Sequence, residues 1–392
     1  MNIPSEIVYA DNAATTRVSE SVLNAMIKHY QGEYGNPSSL YDLGQRAKKA
    51  INAAREPIAK LINADPAEIF FTGSGTEADN MALKGVVKSV SARKNGKNHI
   101  ITTKIEHPAI LRTAEHLERE GFEVTYLDVD RDGLISLEQL ENAITEKTAL
   151  ISVMSANNEI GTIMPLYEIG QIAKKHGVLF HTDAVQALGH MKLDVKEMNI
   201  SLMSMSAHKI HGPKGVGALY IAKNVFLDNV IDGGGQEKNR RSGTENVAGI
   251  VGFGQAAQDM LDHMDEDNER INKMSNRLIE GLLKIEKSVL TGHRTNRLPG
   301  TCSFAFEAIE GESMIIHLNL KKICASTGSA CSTGSLDPSH VLMAIGLTHQ
   351  NAHGSLRLSL SKYNTEKEVD YIIECVTEIV DKLRKMSPVW HG

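Results

Sequence analysis

Short apolar runs alternate with longer stretches in which apolar residues recur at every third or fourth position, from about residue 69 to residue 221. The runs predict strands over Ile69–Thr72, His99–Thr103, Glu123–Leu127, Ala149–Met154, Val178–Thr182, Ser201–Met205 and Val216–Ile221. The stretches between them predict helices over Thr76–Val90, Pro108–Glu120, Leu137–Thr145 and Leu166–Lys175. Ser136 and Gln139 make a capping box at the start of the third helix. Such alternation specifies an α/β fold with a largely parallel sheet, because parallel neighbours need a crossover helix. Glu245–Lys287 reads as one or two long helices, with an acidic stretch near Asp262–Glu269, leading into a second lobe. The last third predicts strands near Thr301–Phe306 and Ser355–Leu360. It ends in a helix over Thr365–Lys385, opened by a Thr365/Glu368 capping box. The expected organisation is a large domain over 16–260, a mostly parallel mixed sheet flanked by helices. A smaller α+β domain follows, built from 1–15 and 261–392.

Composition narrows the class. A chain of 392 residues exceeds one ordinary core, which suits two lobes. The net charge of −6 gives no electrostatic footprint for nucleic acid or an anionic membrane. No apolar run approaches the ~20 residues that span a bilayer. The start, Met1-Asn2-Ile3-Pro4-Ser5-Glu6, lacks the basic and apolar regions of a secretory signal. Cys302, Cys324, Cys331 and Cys375 form no CxxC pair, so free thiols in a reducing cytoplasm are expected. Asp128–Gly133 matches the first half of a calcium loop, but the twelfth position is Gln139 where such loops need a bidentate glutamate. It reads as an acidic turn, and no metal site is expected.

Against that background a few residues stand out. Lys209 sits in Ser206-Ala207-His208-Lys209-Ile210-His211-Gly212-Pro213, at a strand end beside a hydroxyl and an imidazole. A solvated surface charge is the ordinary reading of such a lysine. A Schiff base to pyridoxal phosphate needs the same placement, with an acid upstream for the ring nitrogen. Gly73-Ser74-Gly75-Thr76-Glu77 follows a strand and opens a helix, where backbone amides bind phosphate. Asp183, in His181-Thr182-Asp183-Ala184-Val185-Gln186, ends a strand and suits a pyridine nitrogen, with Gln186 in reach of a ring hydroxyl. His107, before Pro108, can stack on a flat ring and shuttle protons. Taken singly, these read equally as a strand–helix turn, a helix cap and a turn histidine. Together they fall at the carboxyl ends of predicted strands, where open α/β sheets place ligands.

Two further residues complete the picture. Cys331 lies in Ser326-Thr327-Gly328-Ser329-Ala330-Cys331-Ser332-Thr333-Gly334-Ser335, whose composition reads as an exposed mobile loop with little core to pack into. A nucleophile is at least as good a reading as a structural thiol there, whereas Cys302, Cys324 and Cys375 lie in apolar contexts and read as structural. Arg357, in Ser355-Leu356-Arg357-Leu358-Ser359, suits bidentate capture of a carboxylate, the alternative being an edge-strand charge facing water.

With these motifs in hand, the chain resembles the cysteine desulfurases of the NifS/IscS group, within the class V aminotransferase-like fold. The resemblance runs from Tyr9-Ala10-Asp11-Asn12-Ala13-Ala14 to Ser387-Pro388-Val389-Trp390, nearly the whole chain. It implies a type I pyridoxal-phosphate enzyme fold, with Lys209 as the cofactor lysine and Ser206, His208, Gly75 and Thr76 around the phosphate. His107, Asp183 and Gln186 match the stacking histidine, pyridine aspartate and ring-hydroxyl glutamine. Asn158 matches a residue near cofactor and substrate, and Arg357 the substrate-carboxylate arginine. Arg241-Ser242-Gly243-Thr244 is similar to the segment whose threonine reaches the partner subunit's phosphate, which implies a homodimer. Cys331 occupies the persulfide position. The implied reaction takes L-cysteine to L-alanine and passes the sulfur to an acceptor or iron–sulfur scaffold protein, with Cys331 in transient contact with a cluster there.

Departures are small. Thr327 stands where many relatives carry serine, and Ala207 where many carry glycine. The chain stops soon after Trp390, short of the extended tail by which some relatives dock a scaffold, which leaves the acceptor open. The same site would serve a selenocysteine lyase or another class V reaction such as amino transfer, though the loop cysteine argues against plain transamination. A protein acting mainly as an assembly partner, turning over slowly alone, is the reading from another class.

Overall fold

A computed structural model describes residues 6–93, 96–328 and 338–390. Cys331 lies outside them. In chain order the first half runs β1(Val8–Tyr9), α1(Glu20–Gln31), α2(Asp42–Leu61), β2(Ile69–Thr72), α3(Gly75–Ala92), β3(His99–Thr103), α4(Pro108–Arg119), β4(Glu123–Leu127), α5(Leu137–Ala143), β5(Thr148–Ser152) and α6(Leu166–His176). Next come β6(Leu179–Asp183), β7(Leu202–Ser206), β8(Gly217–Ile221), the short α7(Gln236–Asn239) and α8(Val247–Leu282). The remainder is β9(Ser288–Leu290), β10(Thr301–Phe306), α9(Gly311–Leu320), β11(Ile323–Cys324), α10(His340–Ala344), α11(His349–His353), β12(Ser355–Ser359) and α12(Glu366–Met386).

Seven strands form the large sheet in the order β2-β8-β7-β6-β5-β3-β4. β8 is antiparallel to β2 and β7, and the other neighbours are parallel. Side chains alternate across a strand, and this one sequence pattern fills two layers. Phe70, Ile100, Leu150, Leu202 and Leu219 face a core made with α3 and α4. Their neighbours Phe71, Ile101, Ile151, Met203 and Ala218 face the other core, closed by α1, α2, α6 and the first half of α8. Central strands buried on both faces read as near-continuous apolar runs, which is how they stood out. On the second face α6 is pressed close to the chain, since a Cβ on Gly170 would lie 1.8 Å from the Met198 carbonyl oxygen.

A separate core gathers Phe304, Phe306, Leu356 and Leu358 of the β12-β10-β9 sheet with α9, α12 and the second half of α8. Val8 and Ala10 belong to it, because β1 pairs in parallel with β11. α8 is one uninterrupted helix of 36 residues rooted in both cores. It buries Phe253, Ala257 and Met260 in the large core and Ile271, Leu278 and Leu282 in the small one.

The sequence reading is amended in two places. The capping box at Ser136 is half formed: the Ser136 hydroxyl accepts from the Gln139 amide, and no reciprocal bond from Gln139 accompanies it. The box at Thr365 and Glu368 is complete. Helices α1 and α2 carry no prediction above, because α2 holds Gly44 and Pro57, residues that ordinarily mark turns.

Candidate active site

The carboxyl ends of β3, β5, β6 and β7 and the amino end of α3 open onto a cavity of about 310 Å³. Each wall follows from local chain chemistry. At the end of β2, Ser74 caps α3 by accepting from the Glu77 amide at 3.1 Å. Gly75 starts the helix where a Cβ would lie 2.5 Å from Val185 Cγ2, so only glycine brings this backbone up to the cavity. Thr76 lines the cavity beside it. Glu77 accepts from the Gly73 amide at 2.9 Å and holds the Arg241 guanidinium at 2.7 Å, which ties the turn to the distant Arg241–Thr244 segment.

β6 delivers Asp183, 6 % exposed, whose Oδ1 accepts from the Val185 amide at 2.9 Å. Burial raises its pKa, while His107 and Lys209 pull it down. Asp79, one side chain further in, is raised well above the usual carboxylate range by burial and by the Asp183 charge. Its Oδ1 has no hydrogen-bond partner. Two buried acids so close favour one proton between them. His107 caps α4, and its Nδ1 accepts from the Ala109 amide at 3.1 Å, which puts the neutral ring's proton on Nε2. Burial lowers its pKa. Asp79, His107 and Asp183 bring ligand atoms within 4.8 Å of one another. An acid set of this kind, with an orphaned carboxylate oxygen, fits a protonated ring nitrogen.

Lys209 leaves β7 through a single 3-10 turn, and its Nζ donates to the carbonyls of Ala13 at 2.5 Å and Ala14 at 2.8 Å. Gln186 Nε2 donates to the same Ala13 carbonyl at 2.9 Å. His208 Nδ1 pairs with Thr15 Oγ1 at 3.1 Å, and burial pushes its pKa down to about 4. Segment 11–16 therefore folds over the lysine turn. Arg357 reaches the cavity from the centre of β12, only 3 % exposed. Its Nη1 donates to the Asn158 carbonyl at 3.0 Å and its Nη2 to Asp11 Oδ1 at 3.0 Å.

The cavity is thus lined by Gly75, Thr76, His107, Asn158, Asp183, Gln186, Ser206, His208, Lys209 and Arg357 together, all singled out from the sequence. Thr244 is exposed and lies outside it, and Cys331 falls outside the described residues. Sequence reasoning missed Asp79, which reads as one more helical acid, and Asp11, the partner of Arg357. It also missed His181, buried between Ser152 and Ser204 at 2.9 and 3.0 Å and pushed down to about 3 by burial. The signal for Asp79 was available: it stands four residues after Gly75, one turn into α3 and on the same helix face.

Comparison with known proteins gives the same picture. The Aminotransferase class-V family model matches residues 8–372. A protein named cysteine desulfurase IscS from Clostridium botulinum is 53% identical over 386 residues, 98% of this chain and 96% of that one. One of the same name from Methanosarcina thermophila is 54% identical over 385 residues, 98% and 95% of the two chains. Among solved structures, a NifS-like protein superposes with a TM-score of 0.90 at 41% identity, covering 96% of this chain and all (100%) of its own. SspA in complex with cysteine superposes at 0.81 with 37% identity, covering 91% of this chain and 100% of its own. By a family match over nearly its whole length and by relatives that share half its residues, the chain belongs to the class V aminotransferases, in their cysteine desulfurase group.

Proposed function

We propose that this protein is a cysteine desulfurase that converts L-cysteine to L-alanine and holds the released sulfur as a persulfide on Cys331. The observation that carries the reading is the convergence of Lys209, the Asp183–His107 pair and the buried Arg357 on one cavity. Pyridoxal phosphate, when bound, supplies an electron sink for the carbanion formed at the substrate's α-carbon. Asp183 and Asp79 suit its ring nitrogen, Gln186 its ring hydroxyl, and Gly75, Thr76, Ser206 and His208 its phosphate. Asn158, which lines the same cavity, suits a place near both cofactor and substrate.

The chain's own residues then have distinct tasks. Arg357 binds the substrate carboxylate, and its contacts to Asn158 and Asp11 fix the plane of the guanidinium. Lys209, as the neutral amine, takes the α-proton, and the Ala13 and Ala14 carbonyls that hold its Nζ fix where that amine stands. His107, kept neutral by burial, carries protons to and from groups beside the ring. The Cys331 thiolate attacks the substrate sulfur: an S–S bond forms, the C–S bond breaks, and its electron pair stays on the carbon until protonation gives alanine.

Several finer points belong to the same proposal. Residues 16–260 and the remainder act as two domains, each with its own core. Two copies associate so that Thr244, exposed in one copy, reaches the phosphate of the other. The exposed Leu23, Ile27, Tyr30, Leu40 and Tyr41 supply apolar surface for that contact. The sulfur goes to an acceptor or iron–sulfur scaffold protein in the cytoplasm. Among the described residues no helix is long and apolar enough to cross a membrane. The deciding test is alanine formed from L-cysteine by purified protein with a thiol reductant, run beside L-selenocysteine. Alanine and sulfide in equal amounts are expected, and absence of alanine despite bound cofactor would reject the reading.

A further inference from the structure

Glu159 is a buried acid that the mechanism above does not use. It follows Asn158, is 5 % exposed, and its backbone amide donates to Asn157 Oδ1 at 2.8 Å, which fixes the direction of its side chain. Its carboxylate points to the two ends of the segment that carries Cys331. On the far side, the Ser339 hydroxyl donates to Glu159 Oε2. Ser339 is itself held, because its Oγ caps α10 by accepting from the Val341 and Leu342 amides at 3.1 and 3.3 Å. On the near side, a Cβ on Gly328 would lie 3.0 Å from the same Glu159 oxygen and 3.3 Å from Ser339 Cβ. Both ends therefore meet at one carboxylate.

The near end is also fastened to the wall that carries Arg357. The Gly328 amide donates to Ser355 Oγ at 3.3 Å. Ser326 and Arg357 exchange backbone hydrogen bonds, at 3.1 Å from the Ser326 amide and 2.7 Å from the Arg357 amide. A buried carboxylate costs stability unless its partners compensate. Here the partners are Ser339 and the charge of Arg357.

We propose that Glu159 is a positioning residue that fastens the base of the Cys331-bearing segment to the Arg357 wall, so that the nucleophile is delivered to a substrate already held there. The proposal rests on the desulfurase reading. It makes Glu159 act through Ser339 and Gly328, with no contact to the reacting atoms required.

The test compares the cofactor-loaded parent with Glu159→Gln, Ser339→Ala and the conservative Ser339→Thr. Three readings are taken: cysteine affinity from the cofactor's absorbance, alanine formed in the first turnover, and alkylation of Cys331 by iodoacetamide relative to Cys324 by peptide mass. For Glu159→Gln and Ser339→Ala, first-turnover alanine should slow about tenfold while cysteine affinity stays within about threefold. Their Cys331-to-Cys324 alkylation ratio should shift severalfold, and Ser339→Thr, which keeps the hydroxyl, should restore both. Rates and ratios within about twofold of the parent in Glu159→Gln and Ser339→Ala would overturn the proposal. So would a loss carried wholly by weaker cysteine binding, which would tie Glu159 to Arg357 alone. If the parent itself makes no alanine, the desulfurase reading fails, and the alkylation ratio alone then decides whether Glu159 positions the segment.

Discussion

In the proposed reading, Arg357 is the residue on which substrate choice turns. Its guanidinium is buried and shared between Asn158 and Asp11, so a carboxylate that arrives there meets a donor already aimed. Truncating one partner of a buried hydrogen-bonded charge pair costs about 2–5 kcal/mol. Arg357→Ala should therefore raise the KM for cysteine by about two orders of magnitude. Arg357→Lys should recover little of that, because an ammonium has no planar fork. Steady-state kinetics over a wide cysteine range checks both. Lys209→Ala should abolish the absorbance band of the lysine-bound cofactor, read directly by spectroscopy, and a retained band would reject the assignment. Residues of this kind were legible because their chemistry is unusual for their sequence setting: an arginine within an apolar strand, a lysine before glycine and proline. Asp11 was not, because an acid near a terminus is ordinary until folding sets it against an arginine, and Asp79 showed only in its spacing of four from Gly75. Their significance lies in what sits opposite, and a single sequence does not give that.

At the scale of elements, the strands of the large sheet were placed to within one or two residues, because its central strands are covered on both faces, while the short β1, β9 and β11 drew no prediction. Irregular segments were harder. α7 has left-handed backbone at Glu237, Lys238 and Asn239, with φ of 46°, 56° and 63°. That conformation is uncommon outside glycine, and it is held by a buried ion pair. Arg55 of α2 grips Glu237 at 2.5 and 2.8 Å, and Glu237 also accepts from the Phe71 amide at 2.8 Å. No local pattern announces a pair whose members lie so far apart in the chain. Arg55→Ala would strand the Glu237 charge and should cost about 3–5 kcal/mol in chemical denaturation. Because the next residues lead to Arg241 and its bond with Glu77, the same variant should also weaken cofactor retention on dialysis. Elsewhere on the same face of the sheet, Gly170→Ala drives a methyl group into the Met198 carbonyl. It should lower the melting temperature by several degrees while leaving the cofactor absorbance intact.

Across the whole molecule, buried titratable groups set the pH range of stability. Burial pushes His181 down to about 3, and His208 and His211 down to about 4. The unfolded chain takes up these protons near pH 6.5 and the folded one does not, so that contribution is lost as pH falls below about 6. Glu106 and Glu159 run the other way, raised by burial to about 8 and about 7. The folded protein keeps these protons where the unfolded chain releases them, so their contribution is full below about pH 4.5 and lost as pH rises through 7 to 8. The thermal midpoint should peak between about pH 5.5 and 6.5 and fall on both sides. A midpoint level from pH 5 to 9 in calorimetry would contradict this balance.

The long helix α8 sets how the two cores can move. Its 36 residues span roughly 54 Å. Buried side chains anchor it at both ends, and none of its residues from 261 to 270 is buried. A helix carries torsion along its length, so the two cores sit on a common axle and turn as one. The wall that presents Arg357 belongs to one core and the turn that presents Lys209 to the other. Their separation is gauged by this rod together with cross-bonds such as Arg357 to the Asn158 carbonyl, and the middle of the rod carries polar contacts but no buried side chain. Asp265→Pro would break it there, where no buried side chain is lost and only the exposed Lys192 pair is disturbed. The two cores should then melt as separate steps in calorimetry.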